Sequence, residues 1–217
     1  MPRFKDRRDG AAQLLPKLKK FEKNPNALVL GLPRGGMVTA SEIAKGLNIP
    51  LGFLVVKKVG APDNPELAIG AVTDRGESYL DEELISSLKI NKDFVENEIK
   101  VKKGEAQTKA NRFKAFADSD NLMGKTVILV DDGIATGATM IAAVRSARCR
   151  GAGKIIVASP TGAGEAVGLL KKEADEIMCL NEKAEFSSAG EYYDSFPEVT
   201  DEEVIEILKN AKNSFNN

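Results

Sequence analysis

The chain contains no histidine, which excludes imidazole acid–base catalysis and histidine-ligated metal centres. Its two cysteines, Cys149 and Cys179, are too few for a disulfide framework and lack metal-ligand spacing, so they read as reduced, partly buried thiols. No apolar run approaches the roughly 20 residues of a membrane helix. The charged start Met-Pro-Arg-Phe-Lys-Asp-Arg-Arg has no apolar segment behind it, so no secretory signal is visible. No membrane partner is expected, and the cytoplasm is the expected location. A basic excess is missing too: 31 Lys and Arg stand against 32 Asp and Glu, a net charge of −1, which argues against a nucleic-acid partner.

With 217 residues and 42% hydrophobic content, the chain can bury a sizeable core as one domain, residues 1–217. Apolar runs at residues 27–32, 51–56, 69–73, 126–130, 155–159 and 176–180 read as strands. Residues 37–46, 138–149 and 164–172 read as helices between them. Such alternation predicts an α/β fold, a mostly parallel sheet flanked by helices, with ligands beyond the carboxyl ends of the strands. Residues 81–118 turn polar, with a weak helical stripe of Val95, Ile99, Ala106, Ala110 and Phe113. They predict an inserted helical segment of one short and one long helix. The long one, residues 92–116, would span about 37 Å at 1.5 Å per residue. It would project over the core as a lid or pack on a second copy, which points to a homodimer. Thr200 and Glu203 form a capping box that starts a C-terminal helix.

The most informative stretch is residues 127–139, Val-Ile-Leu-Val-Asp-Asp-Gly-Ile-Ala-Thr-Gly-Ala-Thr. A buried-strand run ends in two carboxylates and then in a loop of small residues that opens a helix. Backbone amides at a helix start, with the hydroxyls of Thr136 and Thr139, suit a phosphate. Asp131 and Asp132 repel a phosphate; side by side at a strand end they suit vicinal hydroxyls, a hydrated metal ion, or both. A plain linking turn needs neither feature. A nucleotide P-loop fits worse, because Ala138 stands where its lysine belongs.

Two further stretches point the same way. Residues 29–36, Val-Leu-Gly-Leu-Pro-Arg-Gly-Gly, end a strand in a tight loop with one cation, Arg34, and exposed amides at Gly35 and Gly36, which suits a pyrophosphate as well as a plain turn. Residues 57–72 begin with Lys57 and Lys58 and continue through Gly, Pro, Asp and Asn, a loop by composition. Solvated lysines beside a turn are the competing reading. Segment 59–66 has little to bury and is expected to be mobile until a ligand anchors it.

The 127–139 stretch resembles the 5-phosphoribosyl pyrophosphate (PRPP) motif of type I phosphoribosyltransferases. Together with the Asn-Pro-Glu-Leu-Ala-Ile-Gly-Ala-Val block at residues 64–72, the three stretches resemble a bacterial and archaeal subgroup of unsettled acceptor specificity. The resemblance runs from Phe4-Lys-Asp-Arg to the Tyr193-Asp-Ser-Phe region. It implies PRPP, Mg2+ and a small nitrogenous acceptor as partners, and a role in nucleotide metabolism. It implies that Asp131 faces the ribose 3'-hydroxyl, Asp132 the 2'-hydroxyl, and that Ala135, Thr136, Gly137, Ala138 and Thr139 hold the 5'-phosphate, with Gly133 also among the PRPP-binding residues. The two carboxylates meet the metal, through water or directly. Arg34, Gly35 and Gly36 take the pyrophosphate, with a cis peptide expected between Pro33 and Arg34. Lys57 and Lys58 belong to a closing catalytic loop, Lys57 replacing an arginine and so losing its forked contact. Glu66, in the same loop, is a candidate general base. Terminal segments, about residues 1–20 and 181–217, form the small hood that receives the base, which makes Phe186, Tyr192, Tyr193 and Phe196 candidates for stacking or for the core. Ala135 replaces an aspartate typical of hypoxanthine-guanine enzymes and argues against a 6-oxopurine.

Two other functions fit parts of the pattern. A PRPP or nucleotide sensor would keep the site without the chemistry. A magnesium-dependent phosphatase would need a second acid two residues after its nucleophile, where Gly133 stands.

Overall fold

The computed structural model describes residues 3–117 and 121–215, so the last residue of the expected insert, Asp118, and both ends of the expected hood segments lie outside the described residues. Helix α1 (Arg7–Leu18) precedes β1 (Ala27–Gly31), α2 (Gly36–Leu47) and β2 (Leu51–Phe53). A three-strand unit follows, β3 (Val56–Ala61), β4 (Asn64–Thr73) and β5 (Ser78–Leu80), then α3 (Glu82–Ser87) and α4 (Lys92–Lys114). The chain continues through β6 (Thr126–Val130), α5 (Ala138–Cys149), β7 (Lys154–Ala163), α6 (Gly164–Leu170), β8 (Glu176–Lys183) and α7 (Asp201–Phe215).

Five strands form one parallel sheet in the order β2-β1-β6-β7-β8. Side chains alternate across it. Val29, Ile128 and Ile156 join α1, α2 and α7 in one core, while Leu30, Leu129 and Val157 join α5 and α6 in another. Each fully buried Leu or Ile contributes about 1.5–3 kcal/mol, so two apolar faces hold the central strands. The order reverses between β1 and β6: the chain leaves β1 toward β2 on one side and β6 toward β7 on the other. Such a reversal opens a crevice at the carboxyl ends of the two strands, where both the Pro33–Gly36 and the Asp131–Gly137 loops emerge.

The expectation of one sheet containing residues 51–56 and 69–73 is corrected. Residues 51–56 split at Leu54, and β3, β4 and β5 form a separate antiparallel sheet. Residues 57–72, a loop by composition, are mostly a hairpin, with Lys57 opposite Val72 and Lys58 opposite Ala71. Its turn residues occupy only the tip, Pro62 and Asp63, and a register shift at Gly60. Val59, Ile69 and Val72 are buried against Val95 of α4, and this apolar face supports a ladder that local composition hides. Trypsin is therefore expected to cut after Lys57 and Lys58 slowly in the ligand-free protein. Rapid cleavage there, followed by mass spectrometry, would show instead that the hairpin opens in solution.

Helix α4 covers about 35 Å at 1.5 Å per residue and buries Val95, Ala106, Ala110 and Phe113. It lies on its own chain's β3–β4 sheet, with Phe113 in the core shared with α2 and α7. The capping box forms as expected: Thr200 N–H donates to Glu203 Oε2 at 2.7 Å, and Glu203 N–H to Thr200 Oγ1 at 3.1 Å. Cys149, expected to be partly buried, is exposed at the end of α5; Cys179 is buried, and burial pushes its thiol up to about 12. Among the described residues, no helix is long and apolar enough to cross a membrane.

Candidate functional site

Strand β6 delivers Asp131 and Asp132 to the crevice. The chain then bends back against β7, where Ile134 N–H donates to Thr161 O at 3.1 Å and Ala163 N–H donates to Ile134 O at 2.8 Å. This staple fixes the base of the loop. Gly137 reaches φ +82°, a region that a side chain disfavours, and turns the chain into α5. No side chain caps α5 except a long contact in which Ala138 N–H donates to Thr136 Oγ1 at 3.4 Å. Its first amides therefore face the loop with the positive end of the helix dipole.

Gly133, Ala135, Thr136, Gly137 and Thr139 line a cavity of about 420 Å³ with Asp131 and Lys58. Ser187, Ser188 and Ala189 close it from the C-terminal segment. Ala138, the remaining member of the expected loop, is buried as the first residue of α5. Of the two lysines expected at the site, the structure brings Lys58 to the motif but not Lys57. Neighbouring residues of a strand face opposite sides, and Lys57 points into an open cleft with Arg34, its Nζ 3.2 Å from Glu105 of α4. Lys109 and Arg112 of α4 line that cleft too, both paired with Asp201, and Arg34 pairs with Glu198. Glu66 lies on β4, and its side chain lies outside the described residues.

The Pro33–Arg34 peptide is cis, at the expected bond. Gly35 and Gly36 then pack directly against the two carboxylates. A Cβ at Gly35 would overlap Asp132 Oδ2, and one at Gly36 would stand 2.7 Å from Asp131 Oδ1 and 2.9 Å from the Val130 carbonyl oxygen. Glycine at both positions lets the loop after β1 close on the acids after β6.

Burial and the neighbouring Asp132 charge push the Asp131 carboxyl well above the usual carboxylate range. Asp131 Oδ1 accepts the Asp132 N–H at 2.9 Å, a contact that offsets only part of the cost. Asp132 itself meets a cation absent from the sequence expectations: Arg7 Nε donates to Asp132 Oδ2 at 2.6 Å. Tyr193 Oη donates to the Asp132 carbonyl at 2.6 Å. Arg7 closes the Phe4-Lys-Asp-Arg block where the family resemblance begins, which sets it apart from Arg3 and Arg8, but nothing along the chain pointed from that block to Asp132.

Of the aromatic candidates, Tyr193 is 3% exposed and packed between Phe4 and Phe196, with ring centroids at 5.4 and 4.9 Å. Its phenol is pushed well up by burial and by Asp132, and it is a core residue. Phe196 already carries the Arg7 guanidinium. Phe186 and Tyr192 stack on each other at 5.1 Å and remain partly exposed.

The phosphoribosyl transferase domain profile matches residues 5–195. Two Mycobacterium tuberculosis proteins, from strains H37Rv and CDC 1551 and both provisionally named phosphoribosyl transferases, are 38% identical over 215 residues. These cover 99% of this chain and 48% of each relative, so the chain spans about half the length of those proteins. The crystal structure of TT1426 from Thermus thermophilus is similar at a TM-score of 0.79 and 39% identity, over 96% of this chain and 98% of that one. The matched span takes in the paired glycines, the hairpin lysines and the whole carboxylate motif, and the chain belongs to the phosphoribosyl transferase domain family.

Proposed function

We propose that the chain binds PRPP and magnesium, transfers the 5-phosphoribosyl group to a small nitrogenous acceptor and releases pyrophosphate. The observation that carries this reading is the convergence of the open α5 amides, Asp131 and Lys58 on one cavity. The 5'-phosphate seats on residues 133–139, and the ribose hydroxyls meet Asp131 and Asp132. Gly35 and Gly36 offer amides to the pyrophosphate, with Arg34 and Lys57 on one side and Lys58 on the other. In the reaction the bond from C1 to pyrophosphate breaks as a bond from C1 to an acceptor nitrogen forms. Pyrophosphate leaves with the electron pair, and the acceptor loses its proton. Catalysis rests on positioning and on stabilising developing charge; Glu66 is the candidate for the proton.

Two adjacent carboxylates, one of them under-compensated, suit a magnesium ion that completes its shell with waters and phosphate oxygens. No group of three acidic or thiol side chains among the described residues forms a dedicated cage. Asp131 and Asp132 would hold the ion, which would neutralise phosphate charge. We read residues 1–217 as one domain working in the cytoplasm.

Millimolar PRPP and magnesium are expected to raise the melting temperature, since ligand at a hundred times its Kd stabilises by about 2.7 kcal/mol. No shift would sink the site assignment. Pyrophosphate release is then measured against a panel of bases. The cavity holds only Asp131 and Lys58 as titratable lining groups among the described residues, which favours a second reading, a PRPP-binding regulator. Binding without base-dependent release would decide for it.

A further inference from the structure

Arg7 is charged yet only 7% exposed, and it reaches a carboxylate 125 residues away. Three contacts from two segments hold its guanidinium. Nε donates to Asp132 Oδ2 at 2.6 Å, a terminal nitrogen donates to the Pro197 carbonyl at 2.7 Å, and the central carbon lies 3.6 Å from the Phe196 ring centroid. A planar fork fixed on a carboxylate, a carbonyl and a ring face has little freedom to turn toward a substrate.

A buried charge is costly unless it is paired, and an apolar residue of similar volume often fills such a space at lower cost. The cation is therefore committed to Asp132. Gly35 closes the other side: a Cβ there would overlap Asp132 Oδ2 and approach Arg7 Nε to 3.1 Å. The carboxylate stands in a slot between Arg7 and the Gly35 backbone, beside the like charge of Asp131. Tyr193 Oη holds the main chain of the same residue. Asp132 does not line the cavity that Asp131 and Lys58 share, so its reach toward a ligand depends on how this slot aims it.

We infer that Arg7 is a positioning residue, which acts through Asp132 by holding its carboxylate in the orientation that receives a ribose hydroxyl. The inference rests on the proposed PRPP site. It also gives the N-terminal helix and the strap around Pro197 a part in ligand binding that acts through Asp132.

The test uses the full chain and four variants: Arg7→Met, Arg7→Lys, Asp132→Asn and the Arg7→Met/Asp132→Asn double. PRPP–magnesium binding is measured by calorimetry. Arg7→Met is expected to bind at least tenfold more weakly and Arg7→Lys to recover part of the loss. Millimolar guanidinium, far below denaturing levels, should restore part of the Arg7→Met affinity and leave the parent and Asp132→Asn unchanged. The double variant should bind no more weakly than Asp132→Asn alone. Binding by a folded Arg7→Met within twofold of the parent, or losses that multiply in the double variant without guanidinium rescue, would overturn the inference. If Arg7→Met does not fold, Arg7→Lys and Arg7→Gln carry the comparison. If the parent binds no PRPP, the proposed function falls on its own. The Arg7–Asp132 coupling is then read from ligand-free melting temperatures of the four variants, and additive shifts would remove the positioning role as well.

Discussion

Asp131→Asn is expected to weaken PRPP–magnesium binding by about tenfold to a hundredfold and, at the same time, to raise the melting temperature of the ligand-free protein. The first effect follows from losing an anionic acceptor, since a hydrogen bond to a charged group is worth about 1.5–3 kcal/mol and about 1.4 kcal/mol is tenfold in affinity. The second follows from the strain of two adjacent carboxylates. Burial and Asp132 push the Asp131 carboxyl well above its usual range, so the folded protein holds that proton more tightly than the unfolded chain. Stability from this group is present below the ordinary carboxylate pKa and is lost as pH rises through the raised one. At neutral pH this carboxyl therefore works against folding, and an amide of the same size removes the penalty while its oxygen still accepts the Asp132 N–H. A stabilisation on the order of 1 kcal/mol corresponds to about 2–4 °C in a chain of this size. Melting curves at pH 5 and pH 7.5 should show the variant's advantage growing with pH. A variant that melts below the parent at pH 7.5 would mean that the carboxylate is fully compensated.

Gly35→Ala should cost PRPP binding about as much as removing the Asp132 carboxylate, because the new methyl would overlap Asp132 Oδ2 and displace it. That oxygen is the end of a side chain and can move, but only by leaving Arg7. The fold is expected to survive with an overpacking cost of about 1–3 kcal/mol. Gly36→Ala meets main-chain atoms as well, the Val130 carbonyl oxygen at 2.9 Å and Asp131 Cα at 3.0 Å, and these cannot yield without moving the end of β6. It should therefore lose more stability than Gly35→Ala. Gly104→Ala in α4 and Gly168→Ala in α6 serve as controls. Nothing lies within 4 Å of a Cβ at either, and an alanine inside a helix gains about 0.5–1 kcal/mol over glycine. Calorimetry and melting curves on the four variants separate the effects; a Gly35→Ala protein with parental affinity would show that Asp132 is not held in the slot the glycine lines.

By itself the sequence determined the features that depend on neighbours along the chain. Strand β1 is buried throughout and β6 from Val127 to Val130, both in a parallel sheet, and such strands carry their signal in consecutive residues. The Asp131–Thr139 loop, the paired glycines and the Thr200–Glu203 box are local backbone chemistry, so their place along the chain was legible. Only the tertiary structure decided the rest. The hairpin from Val56 to Thr73 is a strand pair because its apolar residues rest on α4, which lies elsewhere in the chain, while its Gly and Pro content reads as a loop. Lys57 and Lys58 part company because a strand sends successive side chains to opposite faces. Arg7 reaches Asp132 because the N-terminal helix packs on α2, β7 and β8 and the Phe196 ring lies against its guanidinium, and a buried ion pair between residues so far apart in the chain does not announce its partner. Local spacing encodes local geometry; which distant charge is desolvated against which is fixed only when the core has assembled.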